Sequence, residues 1–314
     1  MFKIFLKLFF FIYTLFISNL SLGLGLDIKS SNKTCNILSF SGGGSFGVVE
    51  VGILSQITLK KYDMITGVSA GGLNAGFLSY YNNEEANLMD GINNLANIYI
   101  NMTNSDVYKH NFDQIQRTWS YYDTTPLRLT IEKQLIKMKY KPTKPTLIGS
   151  TNLNTGFFEI FEFEKKTNII DQINIMMATS AIPFIFPSQI IEGKYYVDGG
   201  VVANEIINGI SGYLPNCDYL NITFITSGQK INEINTIDSL EEYTKRIIQV
   251  TINDFNNELN EIIQNTCSNP RGKIQYCYSS STKLNNYSIL DFSHGEELYE
   301  IGKNEFICEE YPYC

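Results

Sequence analysis

The sequence predicts an α/β protein in which helices cover a parallel sheet, and three observations lead there. A short apolar run at 35–40 breaks sharply at Ser41-Gly42-Gly43-Gly44-Ser45-Phe46-Gly47, and helical apolar spacing follows over 48–61. A second short run at 63–68 ends at Ser69 and passes into a small-residue helix from Ala70 to about Tyr80. The composition, 44% apolar against 18% charged over 314 residues, supplies enough apolar surface for one large core or two modest ones.

The remaining elements follow in order. Residues 84–103 read as an amphipathic helix, 145–150 and 157–163 alternate like strands, and 173–181 reads as a helix ending before Pro183. Tyr195-Tyr196-Val197 is a strand running into Asp198-Gly199-Gly200, 220–226 is another, and 240–264 is a long helix. A Cys-bearing tail follows, with a final helix near 296–301. No internal repeat or linker divides the chain. The organisation expected is a leader at 1–25, a catalytic core at 35–230 with a cap-like insertion near 105–145, and a helical C-terminal part at 231–314 packed on the same domain. In the insertion, Trp119, Tyr121 and Tyr122 sit among eight Lys/Arg and four Asp/Glu. It reads either as a solvated helix pair with some buried aromatics or as a cap that meets anionic lipid.

The leader combines Lys3 and Lys7, an apolar stretch at 8–20, and small residues at Ser21-Leu22-Gly23-Leu24-Gly25. That is the pattern of a secretory signal peptide; an uncleaved anchor is the rival, since 8–26 is just long enough to span a bilayer. Export favours disulfides among Cys35, Cys217, Cys267, Cys277, Cys308 and Cys314, and short loops suggest Cys267 with Cys277 and Cys308 with Cys314. The cysteine spacings do not resemble a zinc site. Asn32, Asn101, Asn221 and Asn286 begin glycosylation triplets, Asn221 inside a strand-like run that disfavours its use. A net charge of −8 without a long basic run argues against nucleic-acid binding.

Three motifs carry chemistry. Gly67-Val68-Ser69-Ala70-Gly71 places a serine on a strand-to-helix turn, where small neighbours are needed and the helix N-terminus favours developing negative charge; a glycine-rich packing turn is the bland alternative. Gly42-Gly43-Gly44 exposes backbone N–H groups suited to a phosphate or an oxyanion, and lacks the GK[ST] ending of a phosphate loop. Asp198-Gly199-Gly200 by itself is a β-turn pattern, but a serine needs a base and Asp198 ends a strand. His110 lies in the polar cap region and His294 near the C-terminus.

Taken together, these motifs in this order resemble the patatin-like phospholipases. Thr151-Asn152-Leu153-Asn154-Thr155-Gly156, Ala178-Thr179-Ser180-Ala181-Ile182-Pro183 with Phe186-Pro187, and 201–204 after the aspartate agree with it. The resemblance implies a three-layer α/β/α sandwich with a mainly parallel central sheet. It implies a lipid acyl hydrolase of phospholipase A type working at a membrane or micelle surface without metal or cofactor. It makes Ser69 the nucleophile and Asp198 its general base, with Gly43 and Gly44, and Gly42 beside them, as the oxyanion hole. Gly67, Gly71, Gly199 and Gly200 are the supporting turn glycines. Two positions depart from the family pattern: Phe46 stands where Arg or Lys is usual, and Glu205 where Pro is common. The rival readings are an esterase triad of Ser69, Asp198 and His294, and a secreted lipid-binding or storage glycoprotein with a weak site.

Overall fold

The computed structural model describes residues 33–313 except 59, 82–84, 112–117, 139–140, 167, 208–209, 229–242, 244–245, 248–249 and 251–270. The expected leader, Asn32, most of the 240–264 helix, Cys267 and Cys314 lie outside the described residues.

A mixed sheet of nine strands organises the described chain. Its first two strands are β1 (Thr34–Phe40) and β2 (Met64–Val68). A two-stranded ribbon of β3 (Lys109–His110) and β4 (Tyr122–Asp123) stands apart from it. The large sheet continues with β5 (Thr146–Asn152), β6 (Phe158–Glu162), β7 (Gln189–Ile191) and β8 (Lys194–Asp198). It is completed by β9 (Tyr219–Thr226), β10 (Gly272–Ser279) and β11 (Phe306–Tyr313). The order is β11-β10-β9-β1-β2-β5-β8-β7, with β6 paired to β5. The five strands from β10 to β5 run parallel, and the flanking pairs are antiparallel.

Alternation along the strands sends side chains to two cores. From β1, Leu38 and Phe40 join the larger cluster, while Cys35 and Ile37 join the smaller one with Ile206, Ile207 and Ile210. The larger core is closed by helices α1 (Gly47–Leu54), α2 (Ala70–Leu78), α3 (Glu85–Ile100), α4 (Thr125–Lys137), α5 (Ile169–Thr179) and α6 (Gly295–Asn304). This is the α/β/α arrangement with a mostly parallel sheet. Helix α1 is shorter than the 48–61 spacing predicted, because Ser55 turns its hydroxyl back to the Gly52 carbonyl at 2.6 Å and the helix ends there. Helix α4 is not a solvated cap helix: Leu127, Ile131 and Leu135 are buried in the larger core.

The tail differs from the helical expectation. Residues 272–279 and 306–313 are strands, and their register sets Cys277 opposite Cys308. Among the described residues the disulfides are accordingly Cys277–Cys308 and Cys35–Cys217, not the short-loop pairs Cys267–Cys277 and Cys308–Cys314. Sequence proximity misleads here because strand pairing, not loop length, decides which Cβ atoms meet. Strand β11 is half exposed, carries Glu309, Glu310 and Pro312, and forms one edge of the sheet; the three-residue β7 and the five-residue β6, paired with β5 alone among the described strands, form the others.

Helices α1 and α6 touch through glycine. A Cβ on Gly302 would overlap the Val49 carbonyl, and one on Gly52 the Tyr299 carbonyl. Gly302→Ala is expected to cost about 1–3 kcal/mol, the usual range for overpacking. Urea unfolding should show the lower midpoint; an unchanged midpoint would mean the helix pair can separate freely.

Candidate active site

The site is set by strand β5. On one edge, β5 pairs in parallel with β2 up to Val68 opposite Gly149. The next residue, Ser150, pairs with Asp198 at the end of antiparallel β8. Both partners share that edge, since β6 occupies the other along Leu147–Thr151. Two strands therefore end head to head at adjacent positions of β5. The residue after one end, Ser69, meets the last residue of the other, Asp198.

The contact is direct. Ser69 Oγ donates to Asp198 Oδ2 at 2.6 Å, and the Gly200 N–H donates to Asp198 Oδ1 at 2.8 Å. Ser69 holds φ 55° and ψ −126°, a conformation outside the ordinary wells that costs about 1–3 kcal/mol. The turn needs its glycines. A Cβ on Gly67 would strike the Gly71 carbonyl, one on Gly71 the Ser41 carbonyl, and one on Gly199 the Gly149 backbone. Thr179 locks the turn: its hydroxyl accepts the Ser69 N–H at 2.8 Å and donates to the Gly149 carbonyl at 2.5 Å.

The glycine loop lies beside the serine, with Gly42 so close that an added Cβ would sit 3.0 Å from Ser69 Cβ. Among the described residues, the amides of Gly43 and Gly44 have no acceptor. Gly42 differs from expectation as a donor, because its N–H is committed to the Asn204 carbonyl at 3.2 Å. Asn204 Nδ2 donates in return to the Gly42 carbonyl at 3.2 Å, so this residue clamps the loop. Asn204 Oδ1 is buried without a hydrogen-bond partner among the described residues. Beneath the loop, the fully buried Glu50 accepts from the Ser41 amide at 3.1 Å, the Ser41 hydroxyl at 2.8 Å and Asn74 Nδ2 at 3.2 Å. Phe46, one of the two departures noted in the sequence, is wholly enclosed in the larger core, a setting that suits an aromatic ring.

The two histidines are elsewhere. His294 lies within 3.4 Å of Asp291 and 3.7 Å of Glu297 and packs against Tyr287. His110 is exposed and packs on Tyr122. Asp198 has an oxygen on Ser69 and the other on Gly200, so it does not orient an imidazole.

An almost wholly apolar cavity of about 80 Å³ is bordered by Ser69 and Gly44. Leu73, Ile98, Ile131, Met176, Phe186 and Leu290 line it, so α2, α3, α4 and α5 all contribute to the wall. Thr179, Asn204 and Glu50 are the supporting residues that motif reading left without a role. Glu50 had a signal: it is the one charged residue in Val48-Val49-Glu50-Val51-Gly52-Ile53-Leu54.

The patatin-like phospholipase family model matches residues 38–209, from β1 through the glycine loop and both halves of the Ser69–Asp198 contact. The chain belongs to that family. Patatin-like phospholipases are lipid acyl hydrolases in general terms, with lipids as substrates. No curated protein matches the chain. Among solved structures, VipD from Legionella pneumophila is similar at 13% identity and a TM-score of 0.37, over 88% of this chain and 68% of that one. The sheet topology and the family match, rather than this likeness, carry the fold assignment.

Burial dominates the ionisation of the site. It raises the Asp198 carboxyl from its ordinary value to about 7, against the lowering effect of the Ser69 and Gly200 hydrogen bonds. Burial likewise raises Glu50 well above the carboxylate range. An acid whose folded pKa exceeds its unfolded value stabilises the fold fully below the unfolded pKa, and this is lost as pH rises through the folded one. Stability should therefore decline from about pH 4 to pH 7, with Asp198→Asn flattening part of that slope and leaving the Glu50 share. Urea midpoints measured across that range would check it; identical slopes in both proteins would remove Asp198 as the cause.

Proposed function

We propose that the chain is a phospholipase A-type serine esterase that cleaves carboxylic esters of phospholipids or related acyl lipids through a Ser69–Asp198 dyad and an acyl-enzyme. The observation that carries the reading is the 2.6 Å hydrogen bond between the two side chains, at the border of an apolar cavity. Ser69 Oγ attacks the ester carbonyl carbon while its proton passes to Asp198. The carbonyl oxygen becomes an oxyanion, received by the Gly43 and Gly44 amides. One such donor typically contributes about 2.7–4 kcal/mol. Collapse breaks the C–O bond, and the departing alcohol takes the proton from Asp198. Water then adds to the acyl carbon with Asp198 again accepting a proton. The fatty acid leaves, and Ser69 recovers its hydrogen.

A carboxylate of ordinary pKa is a weak base for an alcohol. The desolvation that raises Asp198 to about 7 brings its basicity closer to a neutral working pH. The acyl chain occupies the apolar cavity and the head group stays outside. The two disulfide bonds among the described residues fit a chain that is exported through the secretory pathway, and an uncleaved leader would keep it on the membrane.

Fatty-acid release from phospholipid vesicles should be lost by about a thousandfold or more in Ser69→Ala and Asp198→Ala, and nearly unchanged in His294→Ala. Collapse of activity in a well-folded His294→Ala protein would replace the dyad with a triad. Equal, negligible release by wild type and Ser69→Ala would leave a lipid-binding glycoprotein. On a soluble short-chain ester, kcat/KM should climb with pH and level off above about 7 as Asp198 ionises. An acid limb near pH 4 would contradict the desolvation argument.

A further inference from the structure

The loops around the site carry large apolar side chains that face solvent. Trp119 is 76% exposed, Phe157 71%, Phe184 67% and Leu153 54%. A compact chain normally hides such groups, and a group of them at one place marks an interaction site. All four are tied to the sheet edge where Ser69 and Asp198 meet. Leu153 directly follows β5, its N–H on the Tyr195 carbonyl at 2.8 Å, and Phe157 closes the same turn through Asn152 at 2.9 Å. Phe184 lies three residues beyond Ala181, whose carbonyl accepts the Asp198 N–H at 2.9 Å, and between two cavity-lining residues, Ile182 and Phe186. Trp119 adjoins it through a Ser120–Phe184 bridge and a Tyr121 N–H to Phe184 carbonyl bond of 2.8 Å.

The backbone is strained to hold two of these side chains. Among the described residues, four non-glycine positions have positive φ: Ser69, Trp119 at 52°, Phe184 at 65° and Glu192. Positive φ is unusual for bulky residues and persists only where the surroundings enforce it. The 105–145 segment that supplies Trp119 has eight Lys/Arg against four Asp/Glu, in a chain of net charge −8. Trp119 and Phe184 thus make an apolar, aromatic rim beside the cavity-lining Ile182 and Phe186, and Trp119 belongs to a segment richer in cations than in anions within an acidic protein. That combination matches a bilayer surface containing anionic lipid, where Trp and Phe settle at the boundary between head groups and chains.

We propose that Trp119, Phe184, Leu153 and Phe157 form the surface that seats this chain on an anionic lipid bilayer, setting the mouth of the Ser69 cavity against the acyl chains. The proposal rests on the lipid hydrolase reading, and its test separates the two. Trp119 is the sole tryptophan, so its emission reports contact at the rim whatever other part of the chain touches a vesicle.

The experiment uses the full chain with Ser69→Ala, mixed with phosphatidylcholine–phosphatidylglycerol vesicles with and without brominated acyl chains. Emission should move to shorter wavelength and be quenched by the brominated lipid. Phe157→Ser with Phe184→Ser should raise the lipid needed for a half-maximal shift by about tenfold or more, as expected from the apolar area removed. Emission unmoved and unquenched by the vesicles overturns the proposal, as does an undiminished response in a folded double variant. The quenching measurement needs no rim variant, so a misfolded double variant leaves the test intact. A wild-type chain that hydrolyses a soluble ester while Trp119 ignores vesicles keeps the enzyme reading and loses this one. A chain that binds as described and hydrolyses no ester does the reverse.

Discussion

Strand β5 holds two partners along one edge, and everything at the site depends on that register. Val68 opposite Gly149 and Asp198 opposite Ser150 leave no room for an intervening residue. The hydroxyl and the carboxyl, 129 positions apart in the chain, are brought together by backbone hydrogen bonds before any side chain contributes. A register slip of one residue would turn Asp198 to the other face of the sheet. Thr179 spans the same junction from α5, joining the Ser69 amide to the Gly149 carbonyl. The head-to-head meeting is therefore fixed from the sheet and from the helix layer.

Such precision has costs that the surrounding structure absorbs. Ser69 is held at positive φ, and two carboxyls, Asp198 and Glu50, are buried with no cation among their hydrogen-bond partners in the described residues. Burial favours their protonated forms, and each is held by donors instead of a counter-charge: Ser69 and Gly200 for one, Ser41 and Asn74 for the other. Glu50 and Asn204 both grip the start of the glycine loop, the first through Ser41 and the second through Gly42. The loop presents the Gly43 and Gly44 amides as a fixed pair rather than as a mobile turn, the condition for preorganised electrostatic stabilisation.

Much of this was legible in the residues. Strand periodicity and the glycine interruptions located β1, β2, β8 and the turns at Ser69 and Asp198, because those features are local. The tail was not. Ile274, Tyr276 and Tyr278 alternate, yet a pairing of 272–279 with 220–226 on one side and 306–313 on the other is a long-range fact. The disulfide choice followed from that pairing. Gly42 shows the same limit at atomic scale. Its sequence context is that of its neighbours, and only the folded position of Asn204 takes its N–H out of the available set. The 105–145 segment carried both a polar composition and buried apolar residues at helical spacing. Which side dominated depended on the cavity that α4 helps enclose.

The margins of the sheet have a bearing on behaviour at high density. Strand β7 offers three residues, β6 offers five with Glu159 and Glu162 among them, and β11 presents Glu309, Glu310 and Pro312 while being stapled to its neighbour by Cys277–Cys308. None of the three offers a long, neutral ladder of open amides for another copy to extend. Copies crowded together thus lack the template that would zip them edge to edge into a fibre, and a broad, hydrophobic sheet remains a closed unit.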